Sequence, residues 1–145
     1  MKVSADDIKK ELQAIWPNLE YIWLWDTIYW KGTVAQVERL MENSKVKTME
    51  FIPEFNDCDD YALQFQAEVR RIRYFAWKEG RLPEEQRLPF AILFAAGTMF
   101  RGISKNHVTD LVLLQEGVHI VDMTPGEQRM WLATREQDDL YFVSS

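Results

Sequence analysis

The sequence contains little cysteine, little histidine and little basic charge. Only one cysteine and two histidines occur among 145 residues, and 17 basic residues stand against 23 acidic ones, for a net charge of -6. A single cysteine cannot form an internal disulfide, so the chain does not require an oxidising compartment. One cysteine and two scattered histidines also do not make a zinc site. The acidic balance argues against nucleic acid and anionic membranes as partners.

Long apolar runs are missing as well. The longest mostly apolar stretch, residues 88–100, is too short to cross a bilayer, and the polar N-terminus lacks the apolar core of a signal peptide. We therefore expect a cytoplasmic protein. Eight Phe, six Trp and five Tyr argue against disorder, and the length predicts a single domain over residues 1–145.

Hydrophobic periodicity predicts helices in the first half of the chain and strands in the second. Helices are predicted between Ser4 and Pro17, over residues 33–43, and from Cys58 to Gly80. Short apolar or alternating runs predict strands over residues 90–94, 107–114, 119–123, 130–132 and 140–143. Helices followed by an antiparallel sheet indicate an α+β fold.

The tetrad Asp57-Cys58-Asp59-Asp60 places the only cysteine among three carboxylates at a predicted helix start. A helix N-terminus favours a thiolate, because its free N–H groups carry partial positive charge. Nearby carboxylates disfavour it, since like charges repel. Either the cysteine is an inert, buried small side chain, or a bound cation absorbs the negative charge and leaves the thiolate usable.

The predicted strands bring a candidate base and a candidate acid of a nucleophilic site together. A cysteine nucleophile needs a base and a third group that orients the base. His107 begins one strand and Asp122 lies on the next, across a hairpin turn at Glu116-Gly117, so the two side chains can meet. Cys58, His107 and Asp122 therefore form a candidate triad, with Asn56 as a candidate oxyanion donor. The alternative is that His107 and Asp122 are ordinary hydrogen-bonded strand residues.

A resemblance to a known family is carried by residues 51–62, Phe51-Ile52-Pro53-Glu54-Phe55-Asn56-Asp57-Cys58-Asp59-Asp60-Tyr61-Ala62. This stretch resembles the catalytic-helix motif of the Marasmius oreades agglutinin C-terminal-domain family, which occurs in bacterial and phage proteins. The resemblance implies a papain-like or transglutaminase-like fold. It also implies that Cys58 is the nucleophile, His107 the base and Asp122 the orienting acid.

The same resemblance implies a cation. It assigns Asp59 and Asp60 as ligands of Ca²⁺ or another divalent ion that activates the site, and adjacent carboxylates suit such an oxygen-preferring cation. Asp26 and Glu54 are guesses for the remaining ligands. The sequence departs from the family pattern around the histidine, where Asn106 replaces a glycine, and after the acid at Asp122.

Two functions are predicted from this resemblance. The first is a cysteine hydrolase that acts on peptide or isopeptide bonds of a peptide or protein substrate. The second is a catalytically inactive, phage-type protein of the same fold that binds and regulates a host protein complex such as RNA polymerase. Whether the chain is an enzyme stays open.

Two surface features remain outside these hypotheses. The aromatic segment of residues 21–30 is either a stacking platform for a ligand or part of the core or of a partner surface. Arg70, Arg71, Arg73, Lys78 and Arg81 form a basic stretch on the third predicted helix, which is usually solvated.

Overall fold

Three helices and eight strands make up the fold of a computed structural model that describes residues 1–145. The helices are α1 (Ala5–Ile15), α2 (Val34–Glu42) and α3 (Cys58–Lys78). The strands are β1 (Lys2–Ser4), β2 (Tyr21–Trp23), β3 (Ile28–Trp30), β4 (Ile92–Phe100), β5 (Ile103–Leu114), β6 (Gly117–Asp122), β7 (Arg129–Leu132) and β8 (Asp139–Ser144). The predicted α+β class is confirmed.

Six strands form one sheet in the order β2-β8-β4-β5-β6-β7. Every neighbouring pair is antiparallel except β2 and β8, which are parallel. Strands β1 and β3 pair separately as a two-stranded antiparallel sheet. The sequence pattern predicted none of the strands β1, β2 and β3, because a three-residue strand carries too little alternation to recognise.

The six-stranded sheet separates two hydrophobic cores. Consecutive residues of β5 alternate between them, with Leu111 and Leu113 in the core of α1, and Val112 and Leu114 in the core of α2 and α3. This alternation follows from the two-residue period of a strand. A sheet that is apolar on both faces needs a cover on both, and the helices supply it.

The helices begin where the sequence predicts. The Ser4 side chain accepts a hydrogen bond from the Asp7 amide at 3.1 Å, and Thr33 forms a capping box with Gln36 at the start of α2. At the start of α3, Asp60 Oδ2 accepts a hydrogen bond from the Asp57 amide at 3.2 Å. These caps fix the first turn of each helix, and in α3 the cap fixes the turn that carries Cys58.

Only the first half of α3 lies on the sheet. Its buried apolar residues run from Tyr61 through Phe65 to Val69, and every residue of α3 after Val69 is exposed or half-buried. Ile72 and Phe75 continue the apolar spacing of α3 in the sequence, but both are more than 40% exposed. None of the three helices combines the length and apolarity needed to cross a membrane.

The packing of α3 predicts opposite effects for two phenylalanines on the same helix. Phe65 is fully buried, whereas Phe75 is 48% exposed. We expect Phe65→Ala to lower the free energy of unfolding by about 3–5 kcal/mol, because the truncation leaves a cavity. Phe75→Ala is the matched control and should cost less than about 1 kcal/mol. Urea denaturation measures both, and equal losses would contradict the packing described for α3.

Candidate functional site

The sheet brings His107 and Asp122 together. Strands β5 and β6 pair with Asp110 opposite Val121, which places Asp122 diagonally across from His107. His107 Nε2 lies 2.7 Å from Asp122 Oδ2, and the two side chains are only 11% and 2% exposed. The predicted pairing of base and orienting acid is thus present as a buried hydrogen-bonded pair.

Further contacts fix both partners of this pair. Asp122 Oδ1 accepts hydrogen bonds from the Thr124 amide at 3.0 Å and from the Thr124 hydroxyl at 2.6 Å. The ring of Phe100 meets the His107 ring edge to face, with centroids 5.4 Å apart. Sequence reasoning missed Thr124, although an Asp-x-Thr stretch at the end of a strand is typical of such a local turn.

The third member of the site, Cys58, is the first residue of α3 and is half-buried. The thiol is one of the groups that raise the pKa of His107, so it lies near the ring. Because Asp122 occupies Nε2, the ring nitrogen that remains for the thiol is Nδ1. The hydrogen bond that the structure shows among the three residues is the one between His107 and Asp122.

The electrostatics of the pair favour a charged histidine. Burial alone lowers the pKa of His107, but hydrogen bonds and charge interactions with Asp122 and Cys58 outweigh it and raise the pKa to about 9. Burial likewise raises the pKa of Asp122, yet the His107 contact and the two Thr124 bonds outweigh burial and lower it. Both directions agree with an ion pair between an imidazolium and a carboxylate at neutral pH.

A second buried carboxyl group, Asp110, lies on the same strand as His107. It is completely buried, and neither carboxylate oxygen has a hydrogen-bond partner. Burial, together with the negative charge of Asp122, raises the pKa of Asp110 well above its ordinary value. This side chain is therefore neutral under conditions in which Asp122 is charged. Sequence reasoning missed it, although an acid inside the apolar run from Val108 to Leu114 is a recognisable signal.

The acidic residues beside Cys58 form a compact cluster. One ligand atom from each of Asp57, Asp59 and Asp60 lies within 4.8 Å of the others. Carboxylate oxygens are the donors that Ca²⁺ prefers, so the residue types fit the cation. Asp26 and Glu54, the guesses for further ligands, are not part of this cluster.

Asn56 and His119 have local partners. The Asn56 amide nitrogen donates to the Glu50 carbonyl at 2.7 Å, and its oxygen accepts from Gln64 at 3.0 Å. One N–H of the Asn56 side-chain amide thus holds the loop before α3. The other N–H of this amide remains for an oxyanion. His119 Nδ1 lies 3.1 Å from the Gly117 carbonyl, a structural contact outside the triad.

Solved structures share this fold at low sequence identity. A structure described as "PSL1a-E64 complex" matches with a TM-score of 0.76 and 17% identity, over 99% of this chain and 51% of its own. A structure of Polyporus squamosus lectin bound to the human-type influenza-binding epitope Neu5Aca2-6Galb1-4GlcNAc matches with a TM-score of 0.74 and 14% identity, over 99% of this chain and 49% of its own. No protein-family model matches the sequence, and no curated protein is similar to it. The chain spans about half the length of these solved chains.

These comparisons correct the predicted function. They support a fungal lectin fold related to the Marasmius oreades agglutinin type, and they do not confirm a papain-like or transglutaminase-like fold. One matched structure is described as a lectin with a bound sugar epitope, and neither description names a hydrolase of peptide or isopeptide bonds or a regulator of RNA polymerase, so both predicted functions are contradicted. The physical reason is that the motif of residues 51–62 specifies a helix start, and a helix start does not define a substrate.

The ion pair predicts a pH dependence of stability. The raised pKa of His107 means that its contribution is complete below the ordinary pKa of 6.5 and is lost as the pH rises through about 9. The lowered pKa of Asp122 means that its contribution is complete above the ordinary value of 3.8 and is lost as the pH falls through its folded value. Asp122→Asn removes the pair but keeps an oxygen acceptor for Thr124.

We expect the difference in unfolding free energy between the native protein and Asp122→Asn to be largest near pH 6. It should shrink by roughly 2–3 kcal/mol toward pH 10, as His107 loses its proton. Urea titrations across this range measure the difference. Phe75→Ala is the control, because it changes an exposed side chain without a titratable group, and its difference from the native protein should stay constant. A constant difference for Asp122→Asn as well would contradict the ion pair.

Proposed function

We propose that the protein is a ligand-binding protein whose site carries a nucleophilic thiolate at Cys58. The observation that supports this most directly is the buried pair of His107 and Asp122 beside the thiol. An imidazolium held charged by a buried carboxylate favours the thiolate form of a neighbouring cysteine. The position of Cys58 in the first turn of α3 acts in the same direction, because the helix N-terminus is partially positive.

The roles of the three residues follow from this arrangement. His107 Nδ1 takes the thiol proton, and Asp122 holds the ring orientation through Nε2 and compensates its charge. The thiolate then attacks an electrophilic carbon of the bound ligand. With an epoxide, for example, a sulfur–carbon bond forms, a carbon–oxygen bond breaks, and the imidazolium returns the proton to the new alkoxide. The description of the PSL1a structure as an E64 complex is compatible with such a ligand class, since E64 is an epoxide.

Four further residues complete the proposal. Asn56 would contribute its remaining N–H to a developing negative charge at the ligand. Asp59 and Asp60, with Asp57, would hold Ca²⁺ and thereby offset the carboxylate charge beside the thiol. The cation supplies positive charge when bound. The orientation of the thiol and the transfer of its proton depend on the chain's own side chains.

The thiolate can be measured directly, because Cys58 is the only cysteine. We expect iodoacetamide or E64 to modify the native protein once. His107→Gln should react at least about tenfold more slowly at pH 6, because the neighbouring positive charge of the histidine is missing. Intact-mass spectrometry over time measures the rates.

The chain provides a matched control for this experiment in its other histidine. His119→Gln should react like the native protein, because the hydrogen bond of His119 goes to the Gly117 carbonyl and not to a residue of the thiolate site. Millimolar Ca²⁺ should accelerate the native protein but not the double variant Asp59→Asn/Asp60→Asn. Equal rates for His107→Gln and His119→Gln at pH 6 would overturn the thiolate proposal, whereas equal rates with and without Ca²⁺ would overturn only the cation.

A second candidate function is carbohydrate binding. A solved structure with this fold is a lectin bound to a sugar epitope, and this chain exposes three neighbouring aromatic side chains. Tyr21, Trp23 and Trp25 are 58%, 63% and 81% exposed at the edge strand β2 and just after it. Exposed aromatic faces are suited to stack on the apolar face of a sugar ring.

Hydrogen bonds with Ser145 fix the backbone of this aromatic surface. Ser145 donates its amide to the Trp23 carbonyl at 3.0 Å, and its hydroxyl accepts from the Trp25 amide at 2.9 Å. A fixed backbone lowers the entropy cost of presenting large side chains to a ligand. The surface therefore meets two requirements of a sugar platform, exposure and rigidity.

Calorimetric titration with Neu5Aca2-6Galb1-4GlcNAc tests this candidate. We expect heat of binding for the native protein and at least about tenfold weaker binding for Trp23→Ala/Trp25→Ala. Phe55→Ala is the control, because Phe55 is 78% exposed elsewhere on the surface and should not matter. Absence of binding by the native protein, or equal binding by the double variant, would contradict a sugar site on β2.

A further inference from the structure

A cleft of about 380 Å³ lies between the second half of α3 and the loop that connects α3 to β4. Arg70, Arg73, Tyr74 and Trp77 line one wall at the spacing of a single helix face. Residues 87–90 of the loop line the other wall. The volume lies in the range of small-molecule sites. The cleft is far from Cys58. Arg73 follows Cys58 by fifteen positions along α3, which corresponds to about 22 Å along the helix axis.

The cleft concentrates positive charge in an acidic protein. Arg70, Arg73 and Arg87 line it, and no carboxylate does. None of these three arginines forms an ion pair, whereas Arg81, Arg101 and Arg129 do. The chain carries a net charge of -6, yet none of its 23 acidic side chains lines this cleft. Unpaired guanidinium groups around a cleft favour an anionic ligand.

Arg73 gives this site a fixed cation. Its guanidinium donates to the Gln86 carbonyl at 2.5 Å and to the Leu88 carbonyl at 3.3 Å, and it lies 5.2 Å from the centre of the Phe90 ring. The side chain is half-buried, and burial lowers its pKa. A half-buried cation without a counterion has the most to gain from a bound anion.

The rest of the cleft wall is aromatic. The rings of Tyr74 and Trp77 are 5.7 Å apart and are 51% and 46% exposed. Their exposed faces are suited to a flat apolar group, while the arginines are suited to a carboxylate. We propose that this cleft binds a small organic anion that joins a carboxylate to a planar, apolar body. This site is separate from the thiolate site and does not depend on it.

Two probes that differ only in charge test the proposal. We expect 1-naphthoate to bind the native protein in calorimetric titration with a stoichiometry of one. The neutral 1-naphthamide, which has nearly the same shape, should bind at least about tenfold more weakly, because it cannot pair with a guanidinium. Added salt should weaken naphthoate binding and leave naphthamide unchanged. Failure of naphthoate to bind, or equal binding of both probes, overturns the proposal.

Variants locate the binding to the cleft. Arg70→Gln/Arg87→Gln should weaken naphthoate binding at least about tenfold, and both residues are exposed, so the fold should survive. The control Lys10→Gln/Arg135→Gln removes the same charge from exposed positions elsewhere and should bind like the native protein. If both double variants bind naphthoate equally, the anion does not occupy this cleft. Cys58→Ala should bind naphthoate unchanged, which separates this result from the thiolate proposal.

Discussion

The contact between the first half of α3 and the six-stranded sheet positions the longest helix of the protein and both regions that this helix carries. Tyr61, Phe65 and Val69 bury their side chains against the core strands, and this contact fixes the start of α3. The capping residues then set the first turn. As a result, Cys58 at the helix start lies near enough to His107 to affect its pKa.

Electrostatics explain which groups at the site carry charge. His107 and Asp122 compensate each other, so both remain ionised although they are buried. Asp110 has no partner and therefore stays neutral. The arginines along the second half of α3 lie at the surface or half-buried, where they have no acidic partner. One helix thus connects two chemically different regions, an acidic start that carries a thiol and a basic, aromatic end.

The likeness to lectin structures limits what the fold can say about function. At 14–17% identity, over about half of the solved chains, the shared fold does not transfer a ligand to this chain. The proposals depend instead on particular side chains: the thiol and its ion pair, the aromatic edge at β2, and the basic cleft. These are three separate surfaces, so a result on one of them leaves the others standing.

Much of the fold was readable from local patterns. Capping residues and apolar spacing predicted the three helices, and alternation predicted five strands of the sheet, because these signals act within a few residues. Sequence also nominated Cys58, His107 and Asp122. The folded chain was needed to show that His107 and Asp122 meet, that Asp110 is buried on the same strand without a hydrogen-bond partner, and that α3 extends beyond its sheet contact to line a basic cleft. Those outcomes depend on the strand register and on which residues pack against a long helix. Residues far apart in the sequence determine the register and the packing.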